Sequence, residues 1–281
     1  MWLLNSARAA GIGRIYLLVK QDENDYLSKQ TGRTLRSGEM LAPVLGGTTA
    51  EGWDDPAWLH EMLARAAMYD IEVHAWWPCF QDAIAAAKFP QSRYATQSSD
   101  QFVDPAFEEV RNYQAGLLAA LLKYYPFNGV ALDWIRYNAR ADGAAGPLGA
   151  DFAELTGRPW TDETMSDPQA RALWDDLRAR ETADWVKHLR ADLRPRYPTV
   201  SWSAFVLPWM FKEVAQSYRH LSSAGLDALQ PMIYWRDWKA DAGMTSEVIG
   251  SAPFVLSGRT TIDPTFDIAC SALPNCIAAK R

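Results

Sequence analysis

Short apolar runs alternate along this chain with longer stretches whose apolar residues recur at helical spacing. Segments 15–19, 71–77, 130–132, 200–206, 228–234 and 254–256 read as strands. A helix opening at Asp54-Asp55-Pro56 carries Trp58, Leu59, Met62, Leu63, Ala66 and Ala67 on one stripe. A second, over 105–123, carries Phe107, Val110, Tyr113, Leu117, Leu118 and Leu121, with Asp104-Pro105 as its opening signal. Helices over 1–10, 168–194, 212–224 and 241–250 complete the pattern, with Gly11, Gly13 and Gly225 as stops. Between them lie a polar loop over 20–52, a Gly- and Ala-rich loop over 138–150 and a polar insert over 151–167.

Helix and strand patterns in strict alternation imply a parallel sheet built from βα units. An open doubly wound sheet and a closed barrel both satisfy that pattern. No Gly-rich phosphate loop follows any strand, which removes the usual reason for the open version. The expected fold is therefore a TIM-type (β/α)8 barrel, formed as one domain over 1–281. A chain of 281 residues suits that architecture.

Composition narrows the function without naming it. With 48% hydrophobic and 22% charged residues the chain is an ordinary globule. A net charge of −6 and the lack of a basic run argue against nucleic acid or an anionic membrane as partner. No run approaches ~18 apolar residues, so no membrane span is expected. The N-terminus lacks the basic start and apolar core of a signal peptide. The three cysteines, Cys79, Cys270 and Cys276, form no C-x-x-C pair, and no H-E-x-x-H spacing occurs. No metal and no cofactor are expected. A Cys270–Cys276 disulfide is left open by spacing alone.

The candidate chemistry gathers where strands end. Strand 130–132 runs into Asp133-Trp134-Ile135-Arg136-Tyr137. In a parallel barrel, side chains past a strand's C-terminal end face the active-site mouth, although an Asp there can also simply cap a turn. Trp76 and Trp77 end an earlier strand, Trp209 follows a later one, and Tyr234, Trp235 and Trp238 follow the next. Indoles on one rim suit a sugar-binding cleft, since aromatic planes take the apolar face of a pyranose; mutual packing as loop anchors is the plainer alternative.

Glycoside hydrolysis needs two carboxyls about 5–10 Å apart. Asp133 and Asp237 are the candidate catalytic pair, and Asp22 is the candidate binding acid beside them. Trp134 would raise the Asp133 pKa by desolvation and Arg136 would lower it. Asp237 is also readable as a helix cap, and Asp22 as part of a solvated loop. His74 alternates onto the same face as Trp76, which is either the barrel interior or the face under a helix.

His74-Ala75-Trp76, then Val103-Asp104-Pro105 with Arg111, then Gly129-Val130-Ala131-Leu132-Asp133-Trp134-Ile135-Arg136-Tyr137 resemble the bacterial glycosyl-hydrolase-like family 10 proteins. Trp174-Asp175-Asp176-Leu177-Arg178 and Gly225-Leu226-Asp227, leading into Gln230-Pro231-Met232-Ile233-Tyr234, continue the similarity. The resemblance covers most of 1–256 and implies a TIM barrel related to polysaccharide-processing hydrolases. It implies Asp133 at the end of the fourth barrel strand, with His74, Trp76, Arg136 and Tyr234 lining the cleft. It also implies an exported protein, a first strand before residue 1, and an incomplete or irregular barrel, because no clear eighth strand follows Ala269.

Two functions follow as expectations. The first is a glycoside hydrolase acting on a polysaccharide or oligosaccharide, with Asp133 and Asp237 catalytic. Its substrate-binding residues would be His74, Trp76, Trp77, Trp134, Arg136, Tyr137, Trp209, Tyr234, Trp235 and Asp22. The second is a non-catalytic carbohydrate-binding barrel. An enzyme of another class on the same scaffold stands behind both.

Overall fold

A computed structural model of the chain describes residues 2–20, 57–94, 102–208, 212–233, 248, 260–262 and 265–266. Its sheet contains β1 (Arg14–Leu18), β2 (Glu72–Pro78), β3 (Gly129–Asp133), β4 (Ser201–Val206) and β5 (Ala228–Ile233), in chain order. Two short segments, β6 (Thr261–Ile262) and β7 (Thr265–Phe266), both pair with β5. They keep one register, Thr261 opposite Ala228 and Thr265 opposite Met232, so they continue a single line along that edge. All these pairings are parallel. Helix α1 (Trp2–Ala9) precedes β1, and α2 (Ala57–Met68), α3 (Ala83–Lys88), α4 (Glu108–Tyr124), α5 (Pro147–Thr156), α6 (Asp162–Ser166), α7 (Pro168–Leu193) and α8 (Tyr218–Ser223) run between the strands. The described residues thus form a curled, incomplete TIM-type α/β barrel.

Strand alternation splits the strand side chains into two sets. Val73, Ala75, Trp77, Val130, Leu132, Trp202, Ala204, Val206 and Leu229 face outward. There they join Leu59, Leu63, Leu118, Leu121, Trp185, Val186 and Leu189 of α2, α4 and α7 in the main core. The inward set is separate: Ala131, Phe205 and Met232, with Tyr16, Trp76 and Leu207 packed against them. A second core lies beyond the C-terminal end of β3, where Tyr94, Tyr137, Phe152 and Trp174 are buried together.

Several helix expectations shift. Helix α4 starts at Glu108, with Phe107 rather than Asp104 as its cap. Asp104 instead accepts the Ala106 amide at 2.9 Å in the turn before it. The loop expected over 138–150 ends early, because α5 begins at Pro147; the polar insert over 151–167 holds the rest of α5 and all of α6, both packed on α7. The helix expected over 212–224 breaks into a 3-10 turn, Lys212–Val214, and α8. Ala215 sits between them at φ +58, outside helical space. Helix α7 opens at Pro168 as expected, and Asp167 proves to be its cap. The strand and helix expected over 254–256 and 241–250 lie outside the described residues, apart from Val248. No helix among the described residues is long and apolar enough to cross a membrane.

Candidate active site

Asp133 is the last residue of β3 and shares the inward face with Ala131 and Gly129. It is 6% exposed. Its Oδ2 accepts the Trp76 indole N–H at 2.9 Å, and its Oδ1 accepts the Trp134 amide at 2.7 Å. Burial raises its pKa above the ordinary carboxylate value. The Trp76 and Trp134 donors and the charge of Arg136 pull it the other way without reversing it.

The backbone turns sharply at this point. Trp134 takes φ +53, a left-handed conformation that is costly for a bulky residue and clusters at functional sites. The turn points the Trp134 amide back at its neighbour's carboxylate. The Arg136 guanidinium carbon lies 4.1 Å from the centre of the Trp134 ring, and Phe102 packs on that ring at 5.6 Å.

The loop beyond is pinned from behind. Tyr94 donates its hydroxyl to the Arg136 carbonyl at 3.1 Å, and Gln216 its amide to the Ile135 carbonyl at 3.3 Å. Buried Arg178 donates to the Ala139 carbonyl at 2.9 Å and to Asp175 at 2.7 Å. These bonds hold Asp133 on a rigid support, as a precise site requires.

The floor beneath Asp133 is aromatic. Phe205 packs between Tyr16, at 5.3 Å, and Trp76, at 5.4 Å. Met232 closes the β5 side. One layer down, Gln230 Nε2 donates to the Tyr16 hydroxyl at 2.5 Å and lies 3.3 Å from Ser203 Oγ. Tyr16, Phe205, Gln230 and Met232 are absent from the sequence-based candidates. Each stands on a strand that the pattern located, but alternation only sorts a strand's side chains into two faces, and the inward face of β1, β4 and β5 was set by the fold.

The expected site residues separate into three groups. Asp133, Trp76, Trp134 and Arg136 are brought together at the C-terminal mouth. His74 faces inward too, but it is buried low in the barrel, opposite Gly129 and edge-on to Tyr16 at 5.5 Å. Trp77 and Tyr137 lie away from the cleft. Trp77 faces the helices, fully buried, and donates its indole N–H to Gln114 at 3.0 Å. Tyr137 is buried in the second core and donates to Asp104 at 3.2 Å. Asp22, Trp209, Tyr234, Trp235 and Asp237 lie outside the described residues.

Two further carboxyls are perturbed nearby. Burial raises the Asp104 pKa to about 6 and the Glu181 pKa to about 7, although Arg111 pairs with Glu181. Both belong to the support behind the β3 loop: Asp104 holds Tyr137, and Arg111 also donates to the Pro105 carbonyl at 2.7 Å. Among the described residues no cluster of three or more His, Cys, Asp or Glu side chains is placed to hold a metal ion.

This is a TIM-type barrel, and its fold is shared with glycoside hydrolase domains. The PgaB (BpsB) glycoside hydrolase domain from Bordetella bronchiseptica superposes with a TM-score of 0.58 at 13% identity, over 93% of this chain and 86% of that one. The beta-galactosidase from the psychrophilic Marinomonas ef1 gives 0.56 at 12% identity, over 82% of this chain and 38% of that one. The beta-galactosidase from Rahnella sp. R3 gives 0.53 at 12% identity, over 82% and 36%. No family model matches the chain, and no curated protein matches it. Identities this low establish a common fold and leave the chemistry to be argued from the site.

Proposed function

We propose that this protein is a glycoside hydrolase acting on a polysaccharide or oligosaccharide, with Asp133 as a directly catalytic carboxylate. The observation that carries the reading is the setting of Asp133: a buried, doubly hydrogen-bonded acid at the C-terminal end of a barrel strand, above an aromatic floor. That is where barrel enzymes keep their reacting groups. Burial that disfavours the ionised form of Asp133 is the kind of environment that suits a carboxyl to proton transfer. The fold shared with the PgaB (BpsB) glycoside hydrolase domain supports the same reading, as does the resemblance to glycosyl-hydrolase-like family 10 proteins.

In this reading Asp237, four residues beyond the end of β5, supplies the second carboxyl. Trp134, Arg136, Trp209, Tyr234, Trp235 and Asp22 line the sugar cleft, and no cofactor takes part. The test is a polysaccharide panel presented to the wild-type chain and to Asp133→Asn, with new reducing ends measured. The expected result is cleavage of at least one glycan, reduced ~10²–10⁴-fold in the variant with binding retained. Equal cleavage by both proteins would remove Asp133 from the mechanism. Binding without cleavage by the wild-type chain would replace the enzyme reading with that of a carbohydrate-binding barrel.

A further inference from the structure

We propose that Trp76 is the positioning residue of Asp133, contributing its indole N–H rather than its ring face; the proposal rests on the glycosidase reading above. Trp76 stands opposite Ala131 in the β2–β3 register, so only a methyl group lies between its indole and the end of β3. Phe205 backs the indole at 5.4 Å with the planes at 52°, and Tyr16 packs on Phe205 in turn. The ring is thereby held from the β4 side. Its N–H is committed to Asp133 Oδ2 at 2.9 Å, while the Trp134 amide holds Oδ1 at 2.7 Å.

Donors on both oxygens fix the carboxyl's rotation, and both favour its ionised form. Burial opposes them. Removing the indole donor therefore does two things at once: it frees the carboxyl to turn, and it lets burial push the pKa further up. A stacking platform behaves differently, because a sugar laid on the ring needs the ring's area and has no use for an N–H already committed to Asp133.

Trp76→Phe keeps an apolar ring and deletes the donor. With the glycan found by the panel, the expected result is a kcat lower by ~10–100-fold with KM unchanged. The limb of the rate profile that Asp133 governs and the Asp133 carboxyl ¹³C titration should both shift up by ~1 pH unit. A raised KM with kcat intact would make Trp76 a stacking platform and overturn the proposal, as would an unmoved Asp133 titration. If the variant does not fold, the wild-type protein decides. The Trp76 indole ¹H–¹⁵N resonance should titrate with the same midpoint as the Asp133 carboxyl, and a resonance indifferent to pH would overturn the clamp. Absence of any cleavage by the wild-type chain would sink the glycosidase reading, while the two titrations would still decide whether Trp76 holds Asp133.

Discussion

Gln230 on β5 donates a hydrogen bond to the Tyr16 hydroxyl on β1, joining residues 214 positions apart across the inside of the barrel. The same amide nitrogen lies within reach of Ser203 on β4. This tie links three strands beneath the layer of Trp76, Phe205 and Met232. It therefore supports the floor on which the proposed substrate rests, and it resists any outward spread of β1.

The tie should be measurable as a coupling. Tyr16→Phe and Gln230→Met should each cost ~1–3 kcal/mol, since each removes one partner of a buried hydrogen bond. The double variant should cost less than the sum of the singles by ~0.5–3 kcal/mol. Denaturant titration of the four proteins checks this; strictly additive losses would mean that the bond couples nothing.

Gly129 is required by close approach. A Cβ there would lie 2.4 Å from two atoms of the His74 ring and 2.6 Å from Ser201 Oγ. His74 is buried, edge-on to Tyr16 and beside Glu72, so it must be displaced from a packed position. Gly129→Ala should therefore lose ~3 kcal/mol or more through overpacking. Adding His74→Ala should restore part of the loss, which thermal melts of the single and double variants would show.

Trp134 occupies left-handed space at φ +53. Substitution there should reverse the usual order of alanine and glycine. Trp134→Gly and Trp134→Ala lose the same ring, but alanine keeps the backbone strain and glycine relieves it. The glycine variant should be the more stable of the two by ~1 kcal/mol in chemical denaturation. An alanine variant of equal or greater stability would show that the turn stores no strain.

Glu181 should make stability depend on pH in an unusual direction for an acid. Burial raises its folded pKa from 4.5 to about 7. Its neutral form is therefore favoured by folding below about pH 4.5, and that advantage is lost as pH rises through 7. Asp104, raised to about 6, acts in the same sense over a lower window. Relative to wild type, Glu181→Gln should gain ~1–3 kcal/mol between pH 4.5 and pH 8. Urea titrations of both proteins at the two pH values test this; a constant difference would show that Arg111 holds Glu181 ionised throughout.

Much of the barrel was readable from local pattern. The five longer strands fall where short apolar runs stand, and α7 begins at Pro168 as its pattern predicts. The Asp133 position could be read because a buried run ended abruptly in polar and aromatic residues. The small helices of the insert were harder. Helix α5 has Pro147 at its start and Gly157 at φ +68 after its end, and α6 has Thr161 as its cap. Those signals flank only ten and five residues, too few for a stable helix without the surface of α7 to pack against. The break at Ala215 had no local signal. Gln216 turns there to accept the Leu207 amide, nine residues back, and to donate to the Ile135 carbonyl, 81 residues back.

The alternation of strands and helices, the parallel sheet and the abrupt end of β3 at Asp133 were all legible in the chain, because each follows from the spacing of apolar residues and from local turn chemistry. The same pattern left open which of two neighbouring indoles meets the acid. Only the curl of the sheet decided that Trp76 turns inward to Asp133 while Trp77 turns out to Gln114, and that Tyr137 packs behind the loop instead of lining the mouth. Alternation divides the side chains of a strand into two faces. The packing of distant helices against one of them determines which face becomes the interior.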